Sequence, residues 1–180
     1  MKVFIAGPRA ISVLDKPVEE RLNNILANSY TVLVGDANGV DRAVQKHFSS
    51  LDYGNVIVFA SEGKARNNVG NWEIRSINVP EQSKGFNYYA AKDIAMSDDA
   101  DYGFMIWNGE SKGTLNNIIN LLNLGKNSIV YLTKTNSFYT IDSISKLLSL
   151  VTMCGNSTQT LFEKLRKASA SGAFQQTSLF

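Results

Sequence analysis

The chain has 180 residues, of which 44% are hydrophobic and 19% charged, which excludes a disordered or fibrous protein and supplies enough apolar side chains for one sizeable core. A formal net charge of +2 without any long Lys/Arg block is too mild to imply nucleic-acid binding, so no direct nucleic-acid partner is expected. One cysteine, Cys154, and one histidine, His47, exclude an internal disulfide and a His/Cys zinc site, and neither metal nor cofactor is expected.

Lys2 to Ala6 is an apolar run of strand length that stops at the turn Gly7-Pro8-Arg9. It is too short for a signal peptide or a membrane span, so the expectation is a cytoplasmic protein without membrane contact. Asp15 and Pro17 open a helix whose apolar face is Val18, Leu22, Ile25 and Leu26. Thr31 to Val34 reads as the second strand. It runs into a polar turn, Gly35-Asp36-Ala37-Asn38-Gly39-Val40-Asp41, from which a helix continues through Ala43, Val44 and Phe48. Val56 to Phe59 is a third strand, and the β-α-β-α-β alternation implies a parallel sheet with right-handed crossovers.

From Ser61 to Gly85 the pattern becomes polar and Asn-rich, a long loop of the kind that commonly carries function. Asn87 to Met96 returns to helical spacing, with Tyr88, Ala91, Ile94 and Ala95 as the expected inner face. Tyr102 to Trp107 suits a buried strand, and Leu115 to Leu124 suits a helix. Between them Asn108, Gly109, Glu110, Ser111, Lys112, Gly113 and Thr114 form a loop with glycine for close backbone approach and a Thr able to cap the helix. Ser128 to Leu132 is the fifth strand. Two helices, Ile141 to Met153 and Thr158 to Ala168, are expected to close a single domain over residues 1–170, with 171–180 as a flexible tail.

The resulting expectation is an α/β, Rossmann-like, doubly wound parallel sheet of five strands in the order 3-2-1-4-5 with C-terminal helices. In that order Gly7-Pro8-Arg9, Gly35 to Asp41 and Asn108 to Thr114 face one pocket at the carboxyl ends of the strands, where the winding reverses. Free N–H groups at a helix start there attract phosphate or carboxylate. In the long loop, Trp72 offers a flat face to a base, and the flanking Arg66 and Arg75 offer forked donors to a phosphate.

The segments VLVGDANGVDRAV, AKDIAMSDDADYGFMIWN and SKGTLNNIINLLNLGK follow one another as in the SLOG superfamily, which the chain resembles over roughly Lys2 to Leu132. That superfamily of Rossmann-like nucleotide-binding domains includes the LONELY GUY phosphoribohydrolases, and the opening KVFIAGP resembles the related nucleoside deoxyribosyltransferases. The resemblance implies a pocket for a nucleoside monophosphate or an ADP-ribose-like ligand. Ser111, Gly113 and Thr114 match the phosphate-binding turn, and Gly35, Gly39 and Asp41 match the second glycine loop. Lys92 and Asp93 stand where similar proteins carry a basic residue and a polar partner.

One departure bears on catalysis. Three residues after the Thr the enzymes carry a glutamate, and this chain has Asn117, an amide that cannot serve as a carboxylate nucleophile or general base. The expectation is therefore binding or sensing, with an N-glycosidase or ribosyltransferase working through Glu110 or Asp93 as the alternative. A second alternative comes from the last residues: Gln176, Leu179 and Phe180 resemble the peptide by which bacterial proteins dock on the DNA sliding clamp. The sequence leaves self-association into a homo-oligomer open.

Overall fold

The computed structural model describes residues 1–79 and 85–170 of the chain. The sliding-clamp resemblance at Gln176, Leu179 and Phe180 lies outside the described residues. Seven strands form one sheet: β1 (Lys2–Ala6), β2 (Thr31–Gly35), β3 (Val56–Ser61), β4 (Glu73–Ile77), β5 (Tyr102–Trp107), β6 (Ser128–Leu132) and β7 (Ser137–Ile141). Six helices accompany them: α1 (Lys16–Ala27), α2 (Val40–Ser50), α3 (Phe86–Asp99), α4 (Lys112–Asn123), α5 (Ile144–Cys154) and α6 (Asn156–Ala170).

The sheet order is β4-β3-β2-β1-β5-β6-β7, parallel throughout except for the β6–β7 pair. The five expected strands lie at its centre in their expected sequence, and the sheet is Rossmann-like α/β. The strand count needs correction from five to seven, because two edge strands were hidden in the sequence. EIRSI, inside the presumed loop, makes β4, and its polar composition conceals it because an edge strand buries little. SFYTI makes β7 by folding back on β6 through a tight turn that places Asn136 at φ +49°, so Ile141 ends a strand and does not begin a helix.

Each face of the sheet buries its own apolar cluster. On one side α1 and α2 cover Val3, Ile5, Val32, Val34, Phe104 and Ile106 with Val18, Leu22, Val44 and Phe48. On the other, Phe4, Leu33, Met105 and Trp107 pack beneath Met96 of α3, Leu115 and Ile118 of α4, and Leu150 and Phe162 of α5 and α6. Alternation along β1 sends Phe4 to one face and Ile5 to the other, both with no exposed surface, and each burial stabilises by about 1.5–3 kcal/mol. The inner face of α3 also differs from the apolar spacing, because Ala90, Lys92, Met96 and Ser97 are its buried residues. A buried lysine there needs partners, and these lie in the cleft described next.

Candidate functional site

Parallel neighbours β2, β1 and β5 end on the same edge of the sheet, which brings the three polar turns together. The first two touch backbone to backbone. Pro8 O accepts the N–H groups of Ile11 and Val40, both at 3.3 Å, which ties the Gly7-Pro8-Arg9 turn to the start of α2. Gly39 sits at φ +82°, and a Cβ there would collide with the backbone of Arg9, so glycine is required on both counts.

The third turn is fixed by its own polar groups. Asn108 Oδ1 accepts the N–H groups of Glu110 (3.1 Å) and Ser111 (2.9 Å), a side-chain turn that aims the chain into α4. Ser111 caps the helix, accepting the N–H of Thr114 at 3.4 Å and its hydroxyl at 3.0 Å, and Trp107 Nε1 donates to Ser111 O at 3.2 Å. Gly109 faces away, its carbonyl accepting Thr158 Oγ1 of α6 at 2.6 Å.

Together the turns and α3 enclose a cleft of about 520 Å³. Gly7, Pro8, Arg9 and Asp41 line it from the first two turns, Tyr89, Lys92, Asp93 and Met96 from α3, and Ser111, Lys112, Gly113, Thr114 and Asn117 from α4. Of the residues singled out from the sequence, Gly35, Asp36, Asn38, Asn108 and Gly109 shape or support this cleft from outside it. Asn38 accepts an amide N–H of Asn67 at 3.1 Å.

The floor is ionic. Lys92 Nζ lies 3.3 Å from Asp93 Oδ1 and 3.9 Å from both Asp36 Oδ1 and Asp41 Oδ2, with all but 6% of its side chain buried. Gly35 makes this possible, because a Cβ there would strike Asp41 Oδ2 and Lys92 Nζ. Burial works against the ammonium, but Asp93, Asp41 and Asp36 outweigh it and hold the lysine above its ordinary pKa. Asp36 is claimed by Arg66, whose Nε and Nη2 donate at 2.9 and 2.7 Å and whose backbone N–H adds a third bond at 3.1 Å. Burial raises the Asp36 carboxyl, and the Arg66 bonds more than reverse this, leaving it below the usual range. Asp41 accepts one backbone N–H, from Ala37 at 3.1 Å, and its burial wins over Lys92, pushing it up to about 6.

A pH dependence follows for Asp41. The folded state holds its proton more tightly than the unfolded chain, so the stability this group contributes is complete below about 4 and is lost as pH rises through about 6. Asp41→Asn should therefore remove a falling limb of stability between about pH 4 and 6. Denaturant melts of both proteins across this window test the point, and parallel profiles would show that Asp41 does not titrate there.

At the mouth, the Arg9 guanidinium lies over the Tyr89 ring at 4.7 Å and that of Arg66 lies 5.3 Å from the same ring. Tyr89 is 38% exposed, and Arg9 over its ring and Lys112 at the start of α4, which lines the same cleft, are exposed too. Tyr89 escaped the sequence reading; the signal was an aromatic at the first turn of a helix on the ligand-bearing edge. Gln45 escaped too: fully buried, it donates to Gly35 O (2.9 Å) and Asn67 O (3.2 Å) and accepts Val69 N–H (3.0 Å), fastening the loop after β3 to the cleft.

Three expectations are corrected. Trp72 does not face the cleft: its Nε1 donates to Tyr53 O at 2.8 Å and its ring packs on the core beside α2, so it secures the start of β4. Glu110 is exposed outside the cleft and pairs with Lys134 at 2.8 Å, which holds its carboxyl below the usual range. Arg75 is drawn to Asp99 and to the Phe59 ring, away from the mouth. Asp93 does line the cleft, with Asn117 against it. The Asn117 amide nitrogen donates to Asp93 Oδ2 (3.2 Å) and Gly113 O (3.3 Å) in the orientation that satisfies the network.

Among the described residues no helix is long and apolar enough to cross a membrane. No protein-family model and no curated protein matches the chain. Among solved structures, DNA processing protein A from Helicobacter pylori, described for a unique single-stranded DNA binding mode, is similar with a TM-score of 0.56. The match covers 93% of this chain and 80% of that one at 16% sequence identity, a likeness of fold. It corrects the functional expectation drawn from the sequence. A free nucleotide as ligand and the absence of direct nucleic-acid contact do not stand beside a neighbour described for its single-stranded DNA binding mode.

Proposed function

We propose that the chain binds single-stranded DNA across the cleft at the carboxyl ends of β1, β2 and β5. The observation that carries this reading is the mouth of the cleft: Arg9 held over Tyr89, with Lys112 and the first turn of α4 on the opposite wall. A cation beside an exposed aromatic face is the combination that grips a single strand, the cation meeting phosphate and the ring offering a stacking surface. The fold likeness to a protein described for single-stranded DNA binding supports the same reading.

The glycine-bearing turns serve it directly. Gly113 belongs to the first turn of α4, where N–H groups lack intrahelical acceptors, and a Cβ at Gly113 would meet nothing within 4 Å, so the backbone there is open to a phosphate. The seating of VLVGDANGVDRAV and SKGTLNN on the turns that build the cleft supports membership of the SLOG superfamily. A single domain over residues 1–170 belongs to the same proposal.

The test is fluorescence anisotropy of a labelled mixed-sequence strand of about twenty nucleotides, titrated at several salt concentrations. Arg9→Ala should weaken binding about tenfold and lower the slope of log K against log salt by about 0.7, the value of one phosphate contact on a single strand. Tyr89→Ala should weaken binding by roughly 1–3 kcal/mol with the slope unchanged, since stacking releases no counterions. Absence of binding by the parent protein at low salt would reject the reading.

A further inference from the structure

The cleft separates its charges by depth. Arg9 and Lys112 are exposed at the rim, whereas Asp41, Lys92 and Asn117 are 6%, 5% and 3% exposed and form the floor with Asp93. On that floor Lys92 sets one positive charge against the two carboxylates Asp41 and Asp93, while Asp36 behind it is neutralised by Arg66. The balance is negative, so a phosphate is repelled from the floor and favoured at the rim. The hydrogen-bonding character of the floor is equally one-sided. Asn117 spends its amide nitrogen on Asp93 and Gly113, which leaves its oxygen to offer. Asp41 takes one backbone N–H, from Ala37, and an ionised carboxylate can accept about four bonds. Lys92, the cation of the floor, is turned toward carboxylates on three sides.

Such a floor asks for donors that carry no negative charge. In a DNA strand the outermost of these are the amino groups on the base edges, where thymine has only its ring N3–H between two carbonyls. The cytosine N4 and adenine N6 amines donate, whereas thymine presents its O4 acceptor at the corresponding place. The cleft of about 520 Å³ has room for a base with its sugar, and its remaining lining at Ala6, Ala37, Ala90 and Met96 is apolar, as a base face requires.

The geometry points to a strand that enters base first, its phosphates held at the rim by Arg9 and the first turn of α4, with Asp41, Asp93 and Asn117 favouring a base that carries an exocyclic amine over thymine. This rests on the strand-binding reading above and adds to it a direction of entry and a base preference. The strand is read through acceptors, so the acidic floor, which opposes binding of the backbone, becomes the element that selects the base.

The experiment compares three labelled strands of about twelve units by anisotropy at pH 7: oligo-dC, oligo-dT and an abasic oligomer. The two pyrimidine strands have bases of one size and similarly weak stacking, so their difference isolates the amine. The parent protein should bind oligo-dC about tenfold more tightly than oligo-dT, and the abasic strand more weakly than either. Asp93→Asn, which keeps the shape of the side chain, should bring the dC-to-dT ratio close to one, with a thermal melt confirming that the variant is folded. A ratio of one in the parent, with abasic binding equal and still sensitive to Arg9→Ala, overturns base-first entry while leaving strand binding intact. A preference for dC that survives Asp93→Asn and Asp41→Asn overturns the role of the carboxylates. No binding of any of the three strands removes this inference together with the reading on which it rests.

Discussion

Lys92→Met is expected to destabilise the fold by about 3 kcal/mol at neutral pH, which for a chain of this size lowers Tm by roughly 6–12 °C. Methionine fills most of the lysine volume, so the effect isolates the charge. In the parent the ammonium faces Asp93, Asp41 and Asp36 in a site from which water is nearly excluded. Removing one member of a buried ionic group leaves the others charged and uncompensated, and that residue of charge is what costs several kcal/mol. Arg66 still neutralises Asp36 through two side-chain bonds, so the burden falls on Asp41 and Asp93. The lower part of the usual range applies because Asp41 is already pushed up to about 6 and can escape by taking a proton. The sign with pH follows: as pH falls through the folded value of Asp41, protonation removes the uncompensated charge, so the deficit of the variant relative to the parent should shrink between pH 7 and pH 5. Denaturant unfolding of both proteins at the two pH values measures it. A deficit that widens on acidification, or none at pH 7, would mean that Lys92 does not neutralise the buried carboxylates.

The same lysine marks where the sequence stopped being legible. An apolar spacing of Tyr88, Ala91, Ile94 and Ala95 placed the inner face of α3 away from Lys92, because hydrophobic periodicity cannot register a cation buried among carboxylates of which two, Asp36 and Asp41, arrive from the turn after β2 and from α2, more than fifty residues upstream. The central strands were readable because each is a short apolar run closed by a turn, and the parallel order followed from alternation with helices. The edge strands β4 and β7 were not readable, since EIRSI and SFYTI are only half-buried and their pairing depends on neighbours distant in sequence or on a tight turn without glycine. In the site, Gly7 and Gly39 lie where a close backbone approach needs glycine, since a Cβ would strike Val40 and Ile106 O at the first and the Arg9 backbone at the second, whereas the cap of α4 is Ser111 and not the Thr114 expected from the sequence. Residues named for side-chain reach fared worse. Trp72 and Glu110 have the chemistry to bind or catalyse, but an indole tied to Tyr53 and a carboxylate tied to Lys134 point elsewhere. Net charge misled in its own way. A total of +2 averages over the whole surface, whereas Arg9, Arg66 and Lys112 gather at one mouth while the acidic residues of the floor lie deeper.

Gly113→Val is expected to weaken binding of single-stranded DNA by on the order of 100-fold while leaving the fold intact, the largest effect on binding that any single substitution in the cleft should have. Gly113 stands in the first turn of α4 behind the Ser111 cap, and its missing side chain leaves open space on the cleft side. Valine there places two methyl groups over the N–H groups that a phosphate would reach, and those charge-assisted bonds are the strong ones. Stability should change little, because the substituted Cβ meets no protein atom and valine is, if anything, a better helix residue than glycine. Gly113→Ala provides the graded control, since a single methyl covers less of the turn and should weaken binding by an intermediate amount. Anisotropy titrations of the three proteins against one labelled strand, with thermal melts alongside, separate the outcomes. A valine variant that melts with the parent and binds with the parent's affinity would show that the strand does not cross the start of α4, and would move the phosphate contact to Arg9 and the opposite wall.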